Sequence, residues 1–181
     1  MSKKHITLLD GAVGTTLWEH TNDHDPVWKY NIEKPDVVRQ VAKEFADAGS
    51  EIVLTNSFAA NRPNVTASSS YSGEQVVSES VRLTKQVLQG TDKQTALAIG
   101  PLSAMLEPFG DLSAADCRKI FEEMISAGMQ EHPDIIYIMT FMDLEMMKIA
   151  ADVALQYHVP VFSSMTFSEF GATLMGNTVD D

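Results

Sequence analysis

Ile6-Thr7-Leu8-Leu9-Asp10-Gly11-Ala12-Val13-Gly14-Thr15-Thr16 is a short apolar run that ends abruptly in a carboxylate and two glycines. It predicts a first, buried β-strand with Asp10 at its C-terminal end. In β/α proteins the loops leaving that end of the strands form the rim where ligands sit. Asp10 is therefore the first candidate site residue, and the plainer alternative is an aspartate that caps the turn at Gly11.

Working outward, the same arrangement recurs four more times. Gly11 to Trp18 reads as a turn of small residues, followed by a polar loop between Trp18 and Trp28. Pro35 opens a helix on which Val37, Val38, Val41, Phe45 and Ala48 recur at helical spacing, with Gly49 as its stop. Glu51–Phe58 is the second strand. The stretch Ala59–Gly73 is long and rich in Ser and Asn, which predicts a lid or an ordered excursion over the strand ends.

Val76, Val77, Ser80, Val81, Thr84 and Val87-Leu88 give a second amphipathic helix closed by Gly90, and Thr95–Ile99 is the third strand, broken by Gly100-Pro101. Ser113, with Asp116 three residues on, marks a helix start of the N-cap type. Cys117, Ile120, Phe121, Met124 and Ile125 share one side of that helix. Asp134–Thr140 is the fourth strand, Asp143–Tyr157 the fourth helix and Pro160–Phe167 the fifth strand. Gly171 and Gly176 then frame a turn around Thr173-Leu174-Met175.

Five short strands alternating with four main helices specify an α/β protein of parallel βα units with right-handed crossovers. Near-continuous apolar strands point to a sheet buried on both faces. Two architectures satisfy this pattern: an open doubly wound sheet, or part of a (β/α)8 barrel, which normally needs about 250 residues. Composition does not separate them.

The chain of 181 residues fits one domain with a sizeable core. Its 25 acidic and 13 basic side chains leave a net charge of −12, which repels nucleic-acid backbones and anionic lipid surfaces. No apolar run approaches the roughly 20 residues that span a membrane, and the apolar run behind the basic opening Met1–His5 is too short for a signal peptide. One cysteine fits a reducing compartment, so the expected location is the cytoplasm.

Other candidate groups carry less. His20 and His24 are four apart, like a metal pair on a helix, but Thr21-Asn22-Asp23 lies between them and no third ligand is evident. Cys117 reads as a small core residue, not a nucleophile. Met139, Met142, Met146 and Met147 read as core packing. The Asn64-Val65-Thr66 sequon is read as chance, and there is no GxGxxG, Walker or Ser-His-Asp pattern.

Taken together, Leu8 to Thr15, Pro35 to Gly49 followed by Ile52 to Asn61, Ile99-Gly100-Pro101, and Met165-Thr166-Phe167 with Gly171 and Gly176 resemble the homocysteine S-methyltransferase family. That family includes the homocysteine-binding domain of cobalamin-dependent methionine synthase and betaine-homocysteine methyltransferase. The resemblance covers nearly the whole chain, in order. It implies a partial (β/α)8 barrel, one domain over residues 1–181 that holds the first five strands.

The resemblance also implies chemistry. In the complete barrel a zinc ion binds the homocysteine thiol as thiolate; a free thiol, with a pKa of about 8.5, is mostly protonated at neutral pH. Asp10 matches the family's strand-one aspartate, which would meet the amino end of the substrate, and Gly11 would let the backbone approach closely; Thr55 and Asn56 match the rim of strand two, and Met139 and Thr140 the end of strand four. The family usually has Glu-Thr there, and methionine is a far weaker acceptor for an ammonium group than glutamate. The family's zinc-binding cysteines fall beyond Asp181, so no cofactor is expected on this chain.

The implied function is thiol methylation of the methionine-biosynthesis type, catalytically incomplete in this chain alone; the alternative is a non-catalytic subunit that associates with another methyltransferase component. Five strands of a barrel would expose sheet edges and inward faces. The expected partners are therefore a homocysteine-like thiol and either further copies of the chain or a complementary chain.

Overall fold

The computed structural model describes residues 5–181, so Met1–Lys4 of the basic opening lie outside the described residues. Helix α1 (Val13–Thr21) is followed by a short 3-10 turn over Val27–Lys29, α2 (Tyr30–Glu33) and α3 (Pro35–Asp47). Then come β1 (Ile52–Leu54), α4 (Arg62–Ser68), α5 (Gly73–Leu88), β2 (Gln94–Ile99), α6 (Ala114–Met129), β3 (Ile135–Phe141), α7 (Leu144–Ala154) and β4 (Val161–Met165). The strands form one parallel sheet in the order β1-β2-β3-β4.

The two faces of the sheet differ. Val53, Leu97, Ile99, Ile136 and Ile138 point toward the helices and pack with Val81 and Leu88 of α5 and Phe121 and Ile125 of α6. That face holds most of the apolar interior. On the opposite face a smaller cluster of Ile52, Leu54, Ala96, Ala98 and Ile135 meets half-buried Val13, Tyr137 and Met139. Period-two alternation along each strand produces this division.

Helix boundaries follow local chemistry. Pro63 sits in the first turn of α4, where a missing N–H costs nothing, and the Asn61 side chain accepts the Asn64 N–H. Ser113 and Asp143 cap α6 and α7 in the same way. Gly49, at φ +110°, supplies the left-handed turn after α3.

Four expectations need correction. The first strand is neither buried nor a full strand: Leu9 makes a single bridge to Ile52, and Ile6, Leu8 and Leu9 are 76%, 53% and 37% exposed. Its pairing stops because the Asp10 carboxylate, not the backbone, takes the next N–H of β1, that of Leu54. Gly11–Trp18 is mostly helix α1, held at its start by Thr15 and Thr16 hydroxyls donating to the Ala12 carbonyl. The Ala59–Gly73 excursion contains α4. Finally, β4 is not buried on both faces: it has one neighbouring strand, and Phe162 is 39% exposed.

Candidate functional site

The carbonyl ends of β1, β2 and β3 surround a cleft of about 280 Å³. Gly11, Ala12 and Val13 form one side, Leu54 to Asn56 with Phe58 and Ala59 the next, Ala98 the floor side, and Met139 and Thr140 the far wall. The structure thus brings five of the six sequence-predicted residues, Gly11, Thr55, Asn56, Met139 and Thr140, to one cavity. Asp10 directly precedes its wall.

Asp10 is tied into the sheet edge. Its N–H donates to the Ile52 carbonyl at 3.1 Å, and its Oδ2 accepts the Leu54 N–H at 2.8 Å. Its Oδ1 is buried with no hydrogen-bond partner among the described residues. Burial disfavours the charged carboxylate and pushes its pKa from the ordinary 3.8 up to about 6, with the Leu54 N–H pulling partly the other way. An orphaned buried carboxylate oxygen is uncommon in folded proteins and calls for a donor.

Thr55 and Asn56 lie at the rim, but their side chains are partly committed to the fold. The Thr55 hydroxyl accepts the Ala98 N–H at 3.0 Å and bonds the Ser57 hydroxyl at 2.7 Å, fastening the end of β1 to β2. The Asn56 amide donates to the Val27 carbonyl at 2.7 Å and to Asn31 Oδ1 at 2.9 Å. These bonds shape the cleft and leave Thr140, which makes no side-chain hydrogen bond among the described residues, with a free hydroxyl at its wall. Thr140 has φ +56°, a conformation that costs a β-branched residue about 1–3 kcal/mol.

Phe58 and Ala59 were not singled out by the sequence, although both line the cleft. The signal was Gly100: a Cβ there would lie 2.6 Å from the Phe58 carbonyl oxygen, which accepts the Gly100 N–H at 3.0 Å. Only glycine lets the two loops approach so closely.

The remaining candidates fall elsewhere. His20 lies on α1 and bonds Glu44 at 2.9 Å, while His24, outside the helix, packs edge-on against Trp18. Among the described residues no group of three His, Cys, Asp or Glu side chains could hold a metal ion. Cys117 is fully buried on α6, and burial raises its thiol to about 11, so it is a core residue. The residues present do not fit a zinc site. The methionines divide: Met146 is core, Met147 half-buried, Met139 forms the cleft wall, and Met142 is 41% exposed, against the expectation that all four pack inside.

A larger groove, about 410 Å³, opens at the opposite ends of the strands around Arg82, Lys85 and Lys93. Its cations are already paired: Arg82 with Glu79 and Glu131, Lys85 with the Glu131 and His132 carbonyls, and Lys93 with the Ser50 carbonyl. The smaller cleft is the better-formed site.

A profile of the homocysteine S-methyltransferase family matches residues 7–181. The chain belongs to the homocysteine S-methyltransferase family. Betaine–homocysteine S-methyltransferase 1 from Pongo abelii and from Mus musculus are each 25% identical to it over 145 residues, which is 77% of this chain and 35% of theirs. The chain thus spans about a third of the length of those relatives. The homocysteine methyltransferase MmuM from Escherichia coli, in its metallated form, superposes with a TM-score of 0.84 at 20% identity, over 98% of this chain and 68% of that one. Its apo form gives 0.73. In this family setting the fold is α/β with parallel βα units, a partial barrel, and the cleft lies at the carbonyl end of its strands. No helix among the described residues is long and apolar enough to cross a membrane.

Proposed function

We propose that the cleft binds the amino-acid end of homocysteine, or of a similar small thiol, for S-methylation of the methionine-biosynthesis type. The observation that carries this reading is the unpartnered Oδ1 of Asp10, one residue from the cleft wall. A ligand ammonium supplies the donor that oxygen lacks and draws the carboxylate pKa back down. The Thr140 hydroxyl offers a second polar contact, and Met139, Val13 and Phe58 provide apolar surface for the ligand's methylene carbons and sulfur.

Methyl transfer forms a sulfur–carbon bond, breaks the donor's bond to the same carbon and releases the thiol proton. The residues of this chain bind and orient the thiol; among the described residues there is no metal-ligand set. We infer that the thiolate-stabilising group comes from polypeptide outside residues 5–181, on the same or a complementary chain. The open face around Phe162 supports such an association and also supports a second reading, a non-catalytic subunit that docks on another methyltransferase component.

Titration of the full chain with L-homocysteine, followed by amide NMR, tests the first reading. Perturbations are expected at Gly11 and Thr140. A charge-assisted hydrogen bond contributes about 1.5–3 kcal/mol, so Asp10→Asn should weaken binding about 10- to 100-fold. If the wild-type spectrum stays unchanged at millimolar ligand, the substrate reading is lost; if it changes but Asp10→Asn binds equally well, Asp10 is a structural cap only.

A further inference from the structure

Strand β3 leaves regular geometry where it reaches the cleft. Tyr137 pairs with Phe162 and Ile138 with Ser163, but pairing resumes at Phe141 with Met165. Three steps on β3 therefore match two on β4, which is a β-bulge with one extra residue at Met139–Thr140. The burial pattern agrees. Ile138 and Phe141 both face the helices, the latter against Phe121 of α6, whereas Met139 and Thr140, adjacent in sequence, both line the cleft. Neighbouring residues of a regular strand point to opposite faces, so the bulge is what brings both to one side.

The bulge holds Thr140 at φ +56°. A threonine does not stay there without restraint, and the restraints come from β4 and the residue after it. The Thr140 N–H donates to Ser164 Oγ at 3.1 Å, the Thr166 N–H donates to the Phe141 carbonyl at 2.8 Å, and the Thr166 hydroxyl donates to the Thr140 carbonyl at 3.4 Å. Of these acceptors and donors only Ser164 supplies a side chain that receives the N–H of the strained residue. Its hydroxyl stands in for the carbonyl that a regular ladder would offer.

We propose that Ser164 is a positioning residue: by accepting the Thr140 N–H it holds the β3 bulge in the form that turns Met139 and Thr140 together into the cleft. Its consequence for ligand binding rests on the homocysteine reading above, whereas its consequence for Met139 does not. Thr140 is solvent-exposed, so water can replace the lost acceptor. What changes is the aim of the wall.

The full chain labelled with 13C at its methionine methyls provides the test, with Met139 assigned through Met139→Leu. In Ser164→Ala the Met139 methyl resonance should shift or broaden, while those of buried Met124 and Met146 stay in place. Ser164→Thr, which keeps the hydroxyl, should restore it. Thr140→Gly removes the strain, so the Thr140→Gly/Ser164→Ala double variant should also return Met139 to its wild-type position, and it serves where Ser164→Ala alone does not fold. L-Homocysteine should bind Ser164→Ala about tenfold more weakly than wild type, about 1.4 kcal/mol. An unmoved Met139 resonance in Ser164→Ala overturns the proposal, as does a uniform shift of all methionines without rescue by Ser164→Thr. If Met139 moves as expected and the wild type ignores homocysteine, the positioning role stands and the substrate reading falls.

Discussion

Strands β2 and β4 have similar lengths, yet their environments are opposite. From Thr95 onward every residue of β2 is buried, with Leu97 and Ile99 under α5 and α6 and Ala96 and Ala98 on the other face. In β4 none is fully buried, and Phe162 reaches Tyr137 edge-on at 6.1 Å with solvent beside it. The difference is neighbours: among the described residues β2 has a strand on each side and β4 has one. Burial in a parallel sheet is conferred by what flanks a strand as much as by its own residues.

The largest expected effect breaks the β2 side of that contrast. Leu97→Ala deletes a fully buried side chain between α6 and the sheet and should cost about 2–5 kcal/mol, read as a lower urea midpoint at unchanged slope. A loss below 1 kcal/mol would mean that β2 is packed no better than β4.

The edge opposite β4 ends at Asp10, and its effect is set by pH. The folded-state pKa of about 6 lies above the ordinary 3.8, so between those values the folded chain binds more protons than the unfolded one. Stability should therefore fall as pH rises from about 4 to 6, by up to about 3 kcal/mol from this group, and level off above. Asp10→Asn keeps an acceptor for Leu54 and carries no charge, so it should flatten that decline and match or exceed the wild type at pH 8. A difference between wild type and Asp10→Asn that does not change across the same window would show that Asp10 is ionised without penalty, since carboxylates held below their usual range, such as Asp23 and Glu51, add stability as pH rises and are common to both chains.

Overpacking gives the next effect. A Cβ on Gly128 would lie 2.5 Å from the Leu97 side chain, and Gly128→Ala should cost about 1–3 kcal/mol in the same denaturation experiment. Combined with Leu97→Ala, which vacates that space, the added cost should shrink markedly, because the two sites are in contact. Full additivity would place Gly128 against something other than β2.

Much of this arrangement was legible in the sequence. Apolar periodicity located α3, α5, α6 and α7 and the strands from β1 to β4, and the family resemblance singled out Gly11, Thr55, Asn56, Met139 and Thr140, which meet at one cleft. Helix α1 was missed because Gly14, Thr15 and Thr16 are poor helix formers, rescued here by hydroxyl bonds to Ala12 that only the folded backbone reveals. The cap of α4 was present in Asn61-Arg62-Pro63 but masked by the surrounding serines. Nothing in composition marks a threonine for positive φ, and the Asn56 amide is claimed by Val27 and Asn31, partners 29 and 25 residues away. Exposure of the Ile6–Leu9 run reflects its single bridge to β1, at Leu9 and Ile52, among the described residues, which an apolar run does not announce.

The smallest expected effect is the most informative about β4. Phe162 already meets water on one side, so Phe162→Ser removes only part of an aromatic's buried surface and one edge-on contact with Tyr137. Such a contact contributes about 0.5–1.5 kcal/mol beyond the surface lost, and with the ring only partly buried the cost in the chain alone should stay at about 1–2 kcal/mol. The comparison with Leu97→Ala then reads association directly. If copies of the chain, or a complementary chain, cover the open face, Phe162 becomes interior and its substitution should cost about 3–5 kcal/mol, as buried aromatics do. Light scattering on the same samples separates the cases. A small cost with a monomeric mass leaves β4 a free edge; a large cost with a monomeric mass contradicts its exposure; and a large cost that fades on dilution identifies β4 as the strand on which the partner closes.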